Sequence, residues 1–150
     1  MPDEVVVPGE AARHVFVYGT LRRGGSNDIA RYRPAPQWVG TASIAGKLFD
    51  LAAYPGAVLR DTPHDGDQRA VGDGLIHGEI YRITEAVEAA LDVLEEVRAD
   101  GSGEYIKREI DVESSSPQGT QRLRCLVYEI HPSRVAGRAT IHSGDWLHRD

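Results

Sequence analysis

The chain is predicted to form an α+β domain in which a strongly curved sheet carries one main helix. Three observations predict it. Short β-rich runs recur along the whole sequence, one amphipathic helical segment precedes the last two of them, and glycines interrupt two of the runs. Strands and helices do not alternate, which argues against βαβ units. Glycine inside a strand is what a strongly bent or closed sheet requires.

The elements follow in order. Residues 1–13 hold Pro2, Pro8 and Gly9 and read as a loose leader; a single domain is expected over 14–150. HVFVYG (14–19) is β-branched and aromatic and ends at Gly19, so it reads as the first strand. A short helix is expected near Ser26 or Asn27, either of which can cap it. TASIAGKLFDL (41–51) alternates loosely, and Gly46 suggests a bend or bulge. AVLRD (57–61) follows the turn YPG, and LIHGEIYRI (75–83) alternates around Gly78. EAVEAALDVLEEVR (85–98) is the helix, with Thr84 as its cap. YIKREIDVES (105–114) and RLRCLVYEI (122–130) flank the turn signal SSSPQG, so they read as a hairpin.

Composition narrows the function. Net charge is −6, from 23 acids and 17 bases, the reverse of what phosphate binding asks for, so no nucleic-acid partner is expected. No run approaches the ~18 apolar residues of a membrane span, and the N-terminus lacks the basic start and apolar stretch of a secretory signal. A cytoplasmic protein is expected. The lone Cys125 excludes an internal disulfide and a cysteine-based zinc site. The six histidines form no HxxxH or HxH spacing, and HDGD (64–67) lacks the pattern of a calcium loop. No metal site is therefore expected. No GxSxG elbow, P-loop or GxGxxG fingerprint is present. Cys125 reads as buried and inert, and Trp38 and Trp146 as packing anchors.

Two stretches carry candidate chemistry. On a helical wheel Val87, Ala90, Leu91 and Leu94 form the core stripe. Glu95 falls about 40° from Leu91, at the border of that stripe, whereas Glu96 points nearly opposite. Glu88, Asp92 and Glu95 share a flank. Either this flank is a solvated acidic face, or Glu95 faces a cleft and works as a general acid or base. The second stretch is VYGTLRRGGSN (17–27), where a strand runs into a glycine-rich exit loop. Successive backbone N–H groups of such a loop can bind a carboxylate or phosphate; the alternative is a plain turn.

YGTLRRGGSN, YPGAV, GEIY, LDVLE, Tyr105 and SGDW occur in that order between His14 and Trp146. Together they resemble the gamma-glutamylcyclotransferase-like superfamily, which includes the AIG2-like proteins. The resemblance implies a small mixed β-barrel with flanking helices, in which the YGTL loop meets the helix carboxylate in one cavity. It places the catalytic acid of the LDxxE motif on Glu95 and a loop for the glutamyl α-carboxylate on Tyr18, Gly19, Thr20 and Leu21. It also makes Tyr105 a pocket residue, with Tyr128 and Tyr54 as further substrate-binding candidates. The implied activity cyclises a γ-glutamyl amine or amino acid to 5-oxoproline and releases the amine, with no cofactor. The chain departs from the pattern in carrying Glu96 after Glu95 and a glycine-rich 97–104 segment before Tyr105. A hydrolase releasing glutamate is a close mechanistic neighbour. The rival reading is a non-catalytic small-molecule or anion-binding protein of the same fold, with Arg22 and Arg23 beside Gly24 and Gly25 holding phosphate.

Overall fold

The computed structural model describes residues 12–22, 28–52, 54–59, 74–95 and 105–148. Its strands are β1 (Ala12–Val17), β2 (Gln37–Asp50), β3 (Pro55–Leu59), β4 (Leu75–Thr84), β5 (Tyr105–Ser116) and β6 (Gly119–Ile130). The helix α1 (Glu85–Leu94) lies between β4 and β5. Residues of the expected leader lie outside the described segments, apart from the start of β1.

The strands run β3-β2-β4-β1-β6-β5, and Thr41 of β2 pairs with Ser115 of β5 to close a five-strand ring. Five strands cannot close with every neighbour antiparallel. The parallel β1/β6 pair, His14 with Cys125 and Val15 with Leu126, takes up the mismatch. The ring is a mixed β-barrel, and β3 extends it as an outer strand on β2.

The period-2 alternation of each strand divides the apolar residues between two cores. Phe16, Ile44, Leu48, Ile76, Ile80, Cys125 and Val127 fill the barrel. Val15, Val17, Ile83, Leu126 and Ile130 point the other way and are covered by Val87 and Leu91 of α1. This is why residues 125–130 are buried on both faces, while Arg122 and Arg124 on the same strand are exposed.

Several boundaries shift from expectation. The irregularity in β2 falls between Trp38 and Gly40, where the register with β4 slips. At Gly46 β2 instead exchanges partners, leaving β4 after Ala45 and taking up Leu59 of β3. Gly78 sits in regular register opposite Ala42. The final hairpin turns on Pro117 and Gln118 alone, tighter than the SSSPQG signal suggests. The early helix is a single 3-10 turn over Ile29–Arg31 capped by Asp28; the expected caps Ser26 and Asn27 lie outside the described residues. Asp28 Oδ1 accepts the Ala30 N–H at 2.9 Å there.

Thr84 caps α1 as expected, its Oγ1 accepting the Val87 N–H at 3.2 Å. The helix runs to Leu94, with Glu95 at its C-cap; residues 96–98 of the expected helix lie outside the described residues. Leu94, placed in the core stripe by the wheel, is 39% exposed, because the covered surface runs out with the helix. Glu88 is instead buried. Trp146 packs inside the barrel; Trp38, also expected to anchor, lies on the outside and is 39% exposed.

After β6 the chain straps across the barrel. Ile141 N–H bonds Leu48 O at 2.7 Å, and Asp50 N–H bonds Ala139 O at 2.8 Å. His77 N–H bonds Gly144 O at 2.8 Å, which seats the SGDW segment against β4.

Candidate active site

The YGTL loop is a tight turn at the exit of β1. Arg22 N–H donates to Gly19 O at 3.0 Å and closes it. Leu21 sinks into the core beneath α1, and its carbonyl accepts the Ile29 N–H at 2.9 Å. A side chain so placed fixes the loop and leaves ligand contact to the backbone.

Arg22 fixes the other side of the turn. Its Nε reaches Glu79 Oε2 at 2.9 Å and its Nη1 reaches Asp145 Oδ1 at 2.6 Å. Tyr81 donates to the second Glu79 oxygen at 3.1 Å. Arg22 and Glu79 are both buried. The GEIY and SGDW motifs thus meet the arginine of YGTLRR. This overturns the idea of Arg22 as a phosphate ligand, since two carboxylates already compensate its charge. Arg23, Gly24 and Gly25 lie outside the described residues.

The YPG turn interlocks with the same loop. A Cβ on Gly19 would sit 2.7 Å from the Pro55 ring, and one on Gly56 would sit 2.7 Å from Ile130 Cβ. Only glycine permits this close approach of β3 to both the β1 exit and β6. Tyr105 donates to Pro55 O at 2.7 Å, and its ring lies 6.4 Å from that of Tyr54. Tyr18 turns into the barrel, donating to Tyr128 O at 2.5 Å and accepting the Ala57 N–H at 3.1 Å.

The acidic flank of α1 is not a solvated face. Lys107 Nζ holds Glu88 Oε2 at 2.7 Å and Asp92 Oδ2 at 2.8 Å. Arg13 approaches Glu88 from β1 at 3.5 Å. Tyr128 donates to Asp92 Oδ1 at 2.7 Å. Burial by itself would lower the Lys107 pKa, but its bonds to Asp92 and Glu88 outweigh that and raise it.

Glu95 sits where the flank reaches the end of the helix. Its charge is felt by three tyrosines from three separate parts of the chain. Tyr18 and Tyr32 have raised pKa values, first from burial and then from Glu95. Tyr128 is raised strongly, by burial first, then by Asp92, Glu88 and Glu95. Hydrogen bonds link the same elements: Tyr18 donates to Tyr128 O, and Tyr128 donates to Asp92, about one helical turn before Glu95. Tyr54 and Tyr105 form a second aromatic pair, joined to Tyr18 through β3. Glu96 lies outside the described residues.

Sequence reasoning missed Tyr32, which packs partly buried against the helix-side core. It offered no periodic or motif signal. It also missed Glu129, fully buried although charged. That signal was present: Glu129 falls in the same alternation as Cys125 and Val127, a charge on an apolar face. Among the described residues, no helix is long and apolar enough to cross a membrane, and no group of three potential ligands is arranged for a metal.

A closed mixed barrel with one covering helix, a glycine turn at the first strand's exit and a carboxylate at the helix end make up an α+β barrel scaffold. The model of the gamma-glutamyl cyclotransferase, AIG2-like family matches residues 15–148, and the chain belongs to that family. It is 37% identical over 137 residues to the gamma-glutamylcyclotransferase family protein YtfP of Escherichia coli K12, covering 91% of this chain and 97% of that protein. It is 32% identical over 116 residues to the gamma-L-glutamyl-butirosin B gamma-glutamyl cyclotransferase of Niallia circulans, covering 77% of this chain and 66% of that one. Among solved structures, YkqA from Bacillus subtilis superposes with a TM-score of 0.61 at 26% identity over 91% of this chain. The chain spans 40% of that longer protein.

Proposed function

We propose that the protein cyclises a γ-glutamyl amine or γ-glutamyl amino acid to 5-oxoproline and releases the amine, with Glu95 as the proton-transfer group. The observation that carries this reading, in a chain of this family, is the hydrogen-bonded link from the head of the YGTL turn to α1: Tyr18 donates to Tyr128 O and Tyr128 to Asp92, about one turn before Glu95.

In this reading the backbone N–H groups of the Gly19–Leu21 turn hold the substrate α-carboxylate. Family membership and the rigid seating of the turn support that role. The C-terminal end of α1, with its carbonyls and Glu95, favours the positive α-ammonium beside it. Glu95 takes a proton from the ammonium, and the freed amine attacks the γ-carbonyl. A new C–N bond closes the five-membered lactam. The tetrahedral centre then collapses: Glu95 returns its proton to the leaving nitrogen as that C–N bond breaks, and the surplus proton of the ring nitrogen passes to the released amine, which departs as an ammonium. A substrate folded in this way reacts intramolecularly, with effective molarities of up to about 10⁵ M or more in well-oriented cases. Tyr54, Tyr105 and Tyr128 line the cavity around the glutamyl chain.

The test is mass-spectrometric detection of 5-oxoproline from a panel of γ-glutamyl amines and γ-glutamyl amino acids, with wild type and Glu95→Gln side by side. Lactam from the wild type alone is expected. Glutamate in place of 5-oxoproline would make the enzyme a hydrolase. Undiminished turnover by Glu95→Gln would remove Glu95 from the reaction. Binding of panel members by calorimetry without any turnover would convert the reading to a binding protein.

A further inference from the structure

Among the described residues, the outer strand β3 forms a ladder along one edge only, with Gly46–Asp50 of β2. Its other edge points its backbone groups at residues 55, 57 and 59 toward β6. In a free strand edge these groups face solvent or another chain. Here all five residues of β3 are buried, so those groups need partners.

Each partner is a side chain from a different part of the barrel. Tyr105, at the start of β5, donates to Pro55 O at 2.7 Å. Tyr18, just after β1, accepts the Ala57 N–H at 3.1 Å. Glu129, near the end of β6, accepts the Leu59 N–H at 2.8 Å through Oε2. Its Oε1 takes Arg108 Nε at 2.9 Å. The three side chains stand in for a missing strand ladder.

The clamp bears on the site because β3 begins there. Tyr54 and Pro55 precede and open the strand, and Pro55 lies against the Gly19 turn with no room to move closer. We infer that Glu129 is a positioning residue: together with Tyr18 and Tyr105 it clamps the free edge of β3 and so fixes the Tyr54–Pro55 wall against the Gly19 turn. Glu129 does this without touching substrate. The inference rests on the γ-glutamyl reading for its effect on substrate, though not for the clamp itself.

Leu59 needs an acceptor, not a charge. Gln in place of Glu129 supplies one; Leu does not. The experiment compares Glu129→Leu, Glu129→Gln and wild type by amide hydrogen exchange and by steady-state kinetics with the best substrate of the γ-glutamyl panel. Val58, whose backbone groups face β2, is the internal exchange control. Val112→Ala, which opens a cavity in the barrel core but removes no partner of the β3 backbone, controls for lost stability.

Glu129→Leu is expected to speed Leu59 exchange by about tenfold or more relative to Val58. It is expected to raise KM by about tenfold while kcat changes less than about twofold, the pattern of lost uniform binding. Glu129→Gln is expected to restore both, and Val112→Ala to shift neither. Unchanged Leu59 exchange in Glu129→Leu overturns the clamp. Fast exchange with the kinetics of Val112→Ala overturns the positioning role. Should Glu129→Leu fail to fold, Tyr105→Phe removes the Pro55 link while keeping the ring; an unchanged KM there overturns the inference. A wild type that turns over no panel member refutes the function reading, and the exchange contrast still decides the clamp.

Discussion

Tyr18→Phe isolates the link between β1, β3 and β6. The ring is 6% exposed and stays in place, so no large cavity opens. What is lost is one hydroxyl that donates to Tyr128 O and accepts from Ala57 N. The Ala57 N–H has one hydrogen and no second route to a partner on that buried edge, so it bears a full desolvation cost of about 1–3 kcal/mol. The carbonyl has two lone pairs and sits at the low end of the same range. Together the loss is about 2–4 kcal/mol. For a chain of this length each kcal/mol lowers Tm by about 2–4 °C, so Tm should fall by about 5–15 °C. Urea unfolding followed by circular dichroism measures it. The midpoint should shift with the slope unchanged, because the surface exposed on unfolding is the same. A loss below about 0.5 kcal/mol would refute the reasoning, since both groups would then have to find other partners within the buried edge.

The remaining predictions concern charge and burial. Arg22→Ala leaves buried Glu79 without its cation and should cost about 3–5 kcal/mol, measured by the same unfolding assay. The Cys125 thiol is fully buried, and burial, then Asp111, pushes its pKa up to about 11. It should resist an aromatic disulfide reagent at pH 8 in the native protein and react at once in denaturant. Lys107 has a raised pKa in the fold, so its contribution is complete below the unfolded value of about 10.4 and lost as pH rises through the folded one. Stability should therefore decline above about pH 10.4, and Lys107→Met, which lacks the titrating group, should flatten that alkaline limb.

The fold was legible because strand periodicity and glycine placement are local. The alternation in 122–130 and 75–83 already assigns each residue a face. The barrel's closure was not legible from pattern, because it rests on one contact between Thr41 and Ser115, distant in sequence. The resemblance supplied it. The wheel puts Glu95 at the border of the buried stripe, and in the fold it is half-buried at the helix C-cap. The fate of the other acids was not readable. A wheel gives direction but not what stands opposite, and what stands opposite Glu88 and Asp92 is Lys107 from the next strand. Arg22 failed in the same way: a surface arginine in sequence becomes a buried cross-link once Glu79 and Asp145 fold against it.

That pairing pattern divides the acids of the helical flank and bears on the role proposed for Glu95. Glu88, Asp92 and Glu95 share a helical flank, and like charges so spaced repel. Lys107 relieves the repulsion by taking Glu88 and Asp92 at salt-bridge distance, and Tyr128 adds a hydrogen bond to Asp92. Both carboxylates are thereby taken up in contacts that join α1 to β5 and β6. Glu95 stands beyond this cluster, at the helix terminus. From there its charge adds to burial in raising the pKa values of Tyr18, Tyr32 and Tyr128. Two acids of the LDVLE helix are thus spent on fixing the helix to β5, which orients the third.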